Sequence, residues 1–186
     1  MTDTPGRPEA VADAARLAAL HGHDVLDTAA EPEFDGIVLL ARTLCAAPTA
    51  LLSLVAEERQ WFKARSGFGP TQTPLSQSVC AHALAQPGLL VIPDLRADPR
   101  TRGNTLVTDK PGVRFYAGAP LRTGGGHALG TLCVLDTVPR PEGLSPEQAE
   151  GLHVLATLAM ALLEQRRELS WLRSALPSTR MASGQG

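Results

Sequence analysis

The chain has 186 residues, 44% of them apolar and only 4% aromatic, with a formal net charge of −2. That suits one domain with a core of Leu, Val and Ala, and so weak a charge offers no electrostatic case for nucleic acid or an acidic membrane surface. Cys45, Cys80 and Cys133 are widely spaced and form no CxxC pair, which excludes a disulfide scaffold and a cysteine-based zinc site.

No apolar run approaches the ~20 residues that span a bilayer. Met1 to Glu9 is polar and proline-rich without an apolar core, so no secretory signal is visible and reduced thiols in a cytoplasm are expected. Residues 1–8 read as a loose tail. From Glu9 to Leu20, Val11, Ala14, Ala15, Ala18 and Ala19 return at helical spacing, and His21-Gly22-His23 breaks the pattern. A second helix is predicted from about Glu31 to Ala46, with Phe34, Ile37, Val38, Ala41 and Leu44–Cys45 on one face and Pro48 as its stop.

Thr49 to Val55 is a near-continuous apolar run, suited to a strand buried on both faces. Gln60 to Ser66 reads as its antiparallel partner, and the alternation of Phe62, Lys63, Ala64 and Arg65 predicts one wetter face. Ser76 to Leu84 is a short helix with Ser76 as N-cap, and Leu89 to Ile92 a short strand stopped by Pro93-Asp94. Asp94 to Gly112 lacks periodicity, and so long a segment inside a domain suggests a functional or a disordered loop.

Val113–Arg122 and Ala128–Asp136 flank Thr123-Gly124-Gly125-Gly126-His127, a hairpin signal. The triglycine lacks the Lys-Ser/Thr and helix of a phosphate loop, while Gly118 and Gly130 inside the strands mark close packing. Ser145 at N-cap and Pro146 at N1 open a last helix that no proline interrupts before Pro177. The final stretch, 177–186, is small and polar. The order is α+β, an antiparallel sheet packed by helices.

Five motifs in order carry a resemblance: Arg59-Gln60-Trp61-Phe62-Lys63-Ala64-x-x-Gly67; Ser78-Val79-Cys80-Ala81-His82-Ala83; Asp94-x-x-x-Asp98-x-Arg100-x-x-x-Asn104-x-Leu106-Val107; Phe115-Tyr116-Ala117-Gly118-Ala119-Pro120-Leu121; and Gly130-Thr131-Leu132-Cys133-Val134-Leu135-Asp136. Together they resemble the GAF domains found upstream of bacterial histidine kinases and diguanylate cyclases. The resemblance covers about residues 12–168. It implies a five- or six-stranded antiparallel sheet, helices on its faces and a small-molecule pocket on one side. The domain is placed at 9–168, with 169–176 as the projecting end of a long C-terminal helix. Thr101 stands where relatives tend to carry an aromatic, and Val79 replaces a common Phe, which thins the aromatic lining of any pocket.

Some GAF domains are free methionine sulfoxide reductases, and Cys80 resembles one of their cysteines. Their catalytic thiol lies in the loop before the second hairpin, where Asp94–Gly112 has none, so Cys80 reads as a buried small hydrophobe rather than a nucleophile. Cys45 and Cys133 sit in apolar stretches and read as core. His82, two residues from Cys80, points to another side of its helix, against a Cys–His dyad or metal pair. Bilin attachment would need a cysteine after Asp94, and the cyclic-nucleotide signature of the family is absent. Asp94, Asp98, Arg100, Asn104 and Arg114 are either a loop tied down by turns and charge pairs or a ligand-contacting group. The candidate ligand-binding set is Cys80, His82, Asp94, Asn104, Arg114 and Tyr116, around a cavity expected between the sheet and the loop; no cofactor or metal is expected.

Leu155, Leu162, Leu169 and Leu176 fall seven apart, with Leu158 and Leu172 between them and Gln165 as a polar interruption. This seam predicts a parallel homodimer through the last helix, although its early half also has to pack on the sheet. The expected function is non-enzymatic regulation in signal transduction, by small-molecule binding, dimerisation or both. The alternatives are a sulfoxide reductase and a ligand-free dimer scaffold. Kinase, cyclase and DNA-binding segments are not visible, so output through a separate signalling protein is expected.

Overall fold

The first helical stretch is broken in two, α1 (Glu9–Ala12) and α2 (Ala14–His21). The break falls at Asp13, whose carboxylate accepts the Arg16 backbone N–H at 2.6 Å, because a short acidic side chain caps a helix better than it continues one. Arg16, 3% exposed, donates to the carbonyls of Ala10, Val11 and Val55, clamping α1 and α2 to the end of the first strand. The computed structural model describes residues 8–175. Leu176 and the tails expected at 1–8 and 177–186, Pro8 apart, lie outside the described residues.

The helix α3 (Pro32–Leu44) starts with proline at its first turn and buries Phe34, Ile37, Val38 and Ala41. The strands are β1 (Thr49–Val55), β2 (Arg59–Ser66), β3 (Gln72–Pro74), β4 (Leu90–Ile92), β5 (Phe115–Arg122) and β6 (Ala128–Asp136). They form one sheet in the order β3-β2-β1-β6-β5-β4, with every neighbouring pair antiparallel. The edge strand β3 is too short for a period of two to register; it pairs Gln60 with Thr73 and ends on Pro74, a residue suited to an edge.

Where a helix with Ser76 as its cap was expected, Leu75–Gln77 makes a 3₁₀ turn and α4 spans only Cys80–Ala83. Ser78, not Ser76, supplies the cap, its hydroxyl accepting the Ala81 N–H at 3.1 Å. Downstream of β4 the loop contains one helical turn, α5 (Thr105–Thr108). The long helix α6 (Pro146–Ala175) opens with a reciprocal capping box: Gln148 N–H donates to Ser145 Oγ at 3.2 Å and Ser145 N–H to Gln148 Oε1 at 3.0 Å.

Two cores sandwich the sheet. On one face α3 and α6 run antiparallel, the end of α3 packing Leu44 on Gly151 of α6, and the core joins Phe34, Val38 and Ala41 with Leu52, Leu132, Val134, Leu152, Ala159 and Leu163. On the other face lie α4 and the loop, with Leu51, Phe62, Val79, Leu95, Val107 and Tyr116. The wetter face expected for β2 is confined to Arg65. Lys63 is buried, its Nζ donating to Thr28 Oγ1, the Ala29 carbonyl and Glu31 Oε1 at 2.9, 2.7 and 2.6 Å.

Candidate functional site

The side of the sheet under α4 and the loop carries the chemistry-bearing residues. Alternation along β6 points Thr131 and Cys133 to this face, and Ser53 of β1 is the cross-strand partner of Thr131. Tyr116 of β5 lies over Gly118 on its own strand: a Cβ there would stand 2.2 Å from the phenol oxygen. The Tyr116 hydroxyl is 3.5 Å from Thr131 Oγ1. Cys80, brought down by α4, sets its Sγ 3.7 Å from Cys133 Sγ, and both are buried. The hydroxyl of Ser53 finds no partner among the described residues.

Burial pushes the Cys80 thiol up, but the Cys133 thiol and the nearby hydroxyls of Thr131, Tyr116 and Ser53, which favour the thiolate, outweigh it and bring the group down to about 7. Cys133 moves the other way, raised by its contact with Cys80 and by burial. The Tyr116 phenol is held neutral by burial and by the neighbouring thiols. Of the two thiols, Cys80 is the one whose ionisation its surroundings favour.

The polar residues of the Asp94–Gly112 segment are spent on the loop itself. Asp94 closes an Asx turn on Arg96 N–H and pairs with the Arg96 guanidinium. Asp98 does the same with Arg100. Asn104 caps α5 by accepting Leu106 N–H at 2.9 Å, and Arg114 donates to the Val107 carbonyl at 2.7 Å. Thr101, fully buried, donates to the Leu95 carbonyl. His82 is half-buried on α4, its proton affinity lowered by burial and then by the Arg100 charge. Val79, Leu95 and Val107 are buried together in the core on the loop side of the sheet. Open grooves of about 410 and 320 Å³ lie elsewhere, between Gly22–Asp24 and Trp171, and between Asp27–Ala30 and β2.

A GAF domain family model matches residues 29–163, which take in the whole sheet and both core faces. The chain belongs to the GAF domain family. It is 37% identical over 169 residues to a cyclic di-GMP phosphodiesterase of Pseudomonas aeruginosa, a match covering 91% of this chain; the chain spans 28% of that relative's length. Among solved structures, the GAF domain of an Acinetobacter phosphoenolpyruvate-protein phosphotransferase superposes with a TM-score of 0.60 at 14% identity, covering 84% of this chain and 97% of the other. A type II free methionine-R-sulfoxide reductase from Thermoplasma acidophilum superposes with a TM-score of 0.58 at 13% identity, covering 72% and 92%. These likenesses bear on the fold.

Of the predicted GAF site residues, the fold gathers Cys80 and Tyr116 into one buried cluster and leaves Asp94, Asn104 and Arg114 in the loop's own turns. Cys133, Thr131 and Ser53 complete the cluster; only the period-two spacing of Thr131 and Cys133 could have paired those two beforehand. On α6 the leucine seam divides. Leu155 and Leu162 pack half-buried against the core, beside Leu152, Ala156, Ala159, Met160 and Leu163. Leu158, Leu169 and Leu172 are exposed. No described helix is long and apolar enough to cross a membrane.

Proposed function

We propose that this GAF domain is a non-enzymatic regulatory module of signal transduction that works as a homodimer through the outer face of α3 and α6. One observation carries the reading: that face exposes Val154, Leu158, Leu169 and Leu172 on α6 and Leu40 and Leu44 on α3, each 38–58% exposed. Trp171, 68% exposed, stands about 100° around the helix from Leu172 and belongs to another side. Covering half of a Leu or Val side chain is worth roughly 1 kcal/mol. The four α6 residues of two copies then give about 8 kcal/mol against an association cost of about 4–15 kcal/mol. Adding Leu40 and Leu44 of α3 raises the gain to about 12 kcal/mol, so the two helices together, rather than α6 alone, make the interface.

Leu169→Glu with Leu172→Glu is expected to give a folded monomer at micromolar concentration while wild type sediments as a dimer. A monomeric wild type, or a dimeric double variant with native circular dichroism, would overturn the reading.

Regulation by dimerisation is favoured over small-molecule binding because the loop side of the sheet is packed by its own Val79, Leu95 and Val107. The similarity to a chain named cyclic di-GMP phosphodiesterase supports a role in signalling. Against the reductase alternative, Cys80 is 2% exposed and no cysteine stands in the loop. Incubation with free methionine sulfoxide and a thiol reductant is expected to give no turnover; turnover that vanishes in Cys80→Ser would restore that alternative.

A further inference from the structure

We propose that Cys80 and Cys133 are a two-electron redox couple, a buried dithiol that small peroxides convert to a disulfide joining α4 to the centre of the sheet. The inference is independent of the dimer interface, which lies on the opposite face. Its ground is juxtaposition. Two thiols that are 53 residues apart in sequence sit with their sulfur atoms 3.7 Å apart, in contact already and about 1.7 Å beyond the length of a disulfide bond. The third cysteine, Cys45, belongs to the core on the other face of the sheet.

The surroundings suit a thiolate rather than an inert apolar thiol. Around the pair stand the hydroxyls of Tyr116, Thr131 and Ser53, and the Ser53 hydroxyl, fully buried and unpartnered, has a proton to give. A thiolate at Cys80 would accept these donors, and hydrogen bonds to the charged form favour it. Cys80 rides the short helix α4, the element that has to lift to admit a peroxide, and Cys133 sits inside β6, so Cys80 attacks and Cys133 resolves, an order that the lowered proton affinity of Cys80 also favours.

The step balances as follows. The Cys80 thiolate attacks one oxygen of hydrogen peroxide, the O–O bond breaks, and the departing hydroxide takes a proton to become water. The sulfur is now a sulfenic acid. Cys133 then attacks that sulfur, its thiol proton joins the departing hydroxyl as a second water, and the S–S bond forms. Two thiols lose two electrons and peroxide gains them; a thiol reductant reverses the change by exchange. Entry requires α4 to lift. A single turn behind a 3₁₀ turn, anchored through the Ser78–Gln60 hydrogen bond, is the kind of short element that opens locally without global unfolding.

The test uses the reduced full chain. After hydrogen peroxide and then denaturing alkylation, the expected product carries one adduct, on Cys45, where the untreated protein carries three, one for each cysteine. Before alkylation its mass is lower by about 2 Da, the two hydrogens removed. A crosslinked peptide should join Cys80 to Cys133, dithiothreitol should restore all three adducts, and the bridged form should melt about 5–10 °C higher. Cys45→Ala should form the same bridge. Three adducts after peroxide, a bridge that includes Cys45, or Cys80 oxidised to sulfinic acid while Cys133 stays alkylatable would each overturn the proposal. Because these readouts are taken on wild type, failure of a Cys80 or Cys133 variant to fold does not protect it.

Discussion

Gly130→Ala is expected to destabilise the fold by about 4 kcal/mol or more, or to prevent folding outright. A Cβ on residue 130 would stand 1.8 Å from the carbonyl oxygen of Ser53 and 2.8 Å from the Cα of Leu54. Both are backbone atoms of β1, which lies between β2 and β6 in the middle of the sheet, so no flexible side chain can give way. β1 already departs from regular register against β2 between Leu52 and Ser53, and the glycine opposite lets the twisted strands approach. Gly124→Ala is the matched control: nothing lies within 4 Å of its added methyl, and its effect should stay within about 0.5 kcal/mol. Urea denaturation of the two variants checks the contrast, and a Gly130→Ala protein within 1 kcal/mol of wild type would refute the close contact.

What could be read beforehand follows the range of the interactions responsible. Ser145, Pro146 and Gln148 announce the start of α6 because a cap is made within three residues. Continuous burial of β1 and the glycine-rich hairpin between β5 and β6 are likewise local, and motif order supplied the rest of the family fold. The burial of Lys63 was not legible, since its partners Thr28, Ala29 and Glu31 stand 32–35 residues away and alternation with Arg65 suggested water for both. Neither was the Cys80–Cys133 contact, which depends on how α4 lands on β6. The leucine seam divides for a geometric reason. A strict seven-residue repeat drifts about 20° per heptad on a straight helix, so the face that meets the sheet, Leu152 through Leu163, cuts across the leucine line and leaves Leu158 outside it. The loop's polar residues gave the opposite lesson: Asp94 and Asp98 each precede by two the arginine they bind, a spacing as consistent with self-contained turns as with a site.

Glu31→Ala is expected to cost about 3–5 kcal/mol, because it strands a charge that the fold has buried. The Lys63 side chain is wholly inaccessible, its ammonium 5.3 Å from the centre of the Phe34 ring, and Glu31 is its counter-charge. The same carboxylate oxygen accepts Arg166 Nε of α6 at 2.8 Å, and Arg166 also donates to the Asp24 carbonyl. Lys63→Met should cost less, since it removes the buried charge and leaves Glu31 paired with Arg166 at the surface; the reverse ranking in thermal melts would show that packing, not charge, governs the site. Burial opposes ionisation of Glu31, but hydrogen bonds from Lys63 and Arg166 outweigh it and hold the carboxyl below its ordinary 4.5. A carboxyl depressed in the folded state gives stability that is complete above its unfolded value and is lost as pH falls through the folded one. Wild type should therefore lose stability on acidification below about pH 5, and Glu31→Gln should flatten that part of the profile. The pairing also has a mechanical consequence. One carboxylate ties β2, through Lys63, to the projecting half of α6, through Arg166, so a displacement of β2 reaches the helix that presents Leu169 and Leu172. If this tie sets the helix position, Arg166→Ala should weaken self-association while leaving the melting of the domain nearly unchanged, a separation that concentration-dependent sedimentation and calorimetry on the same sample would register.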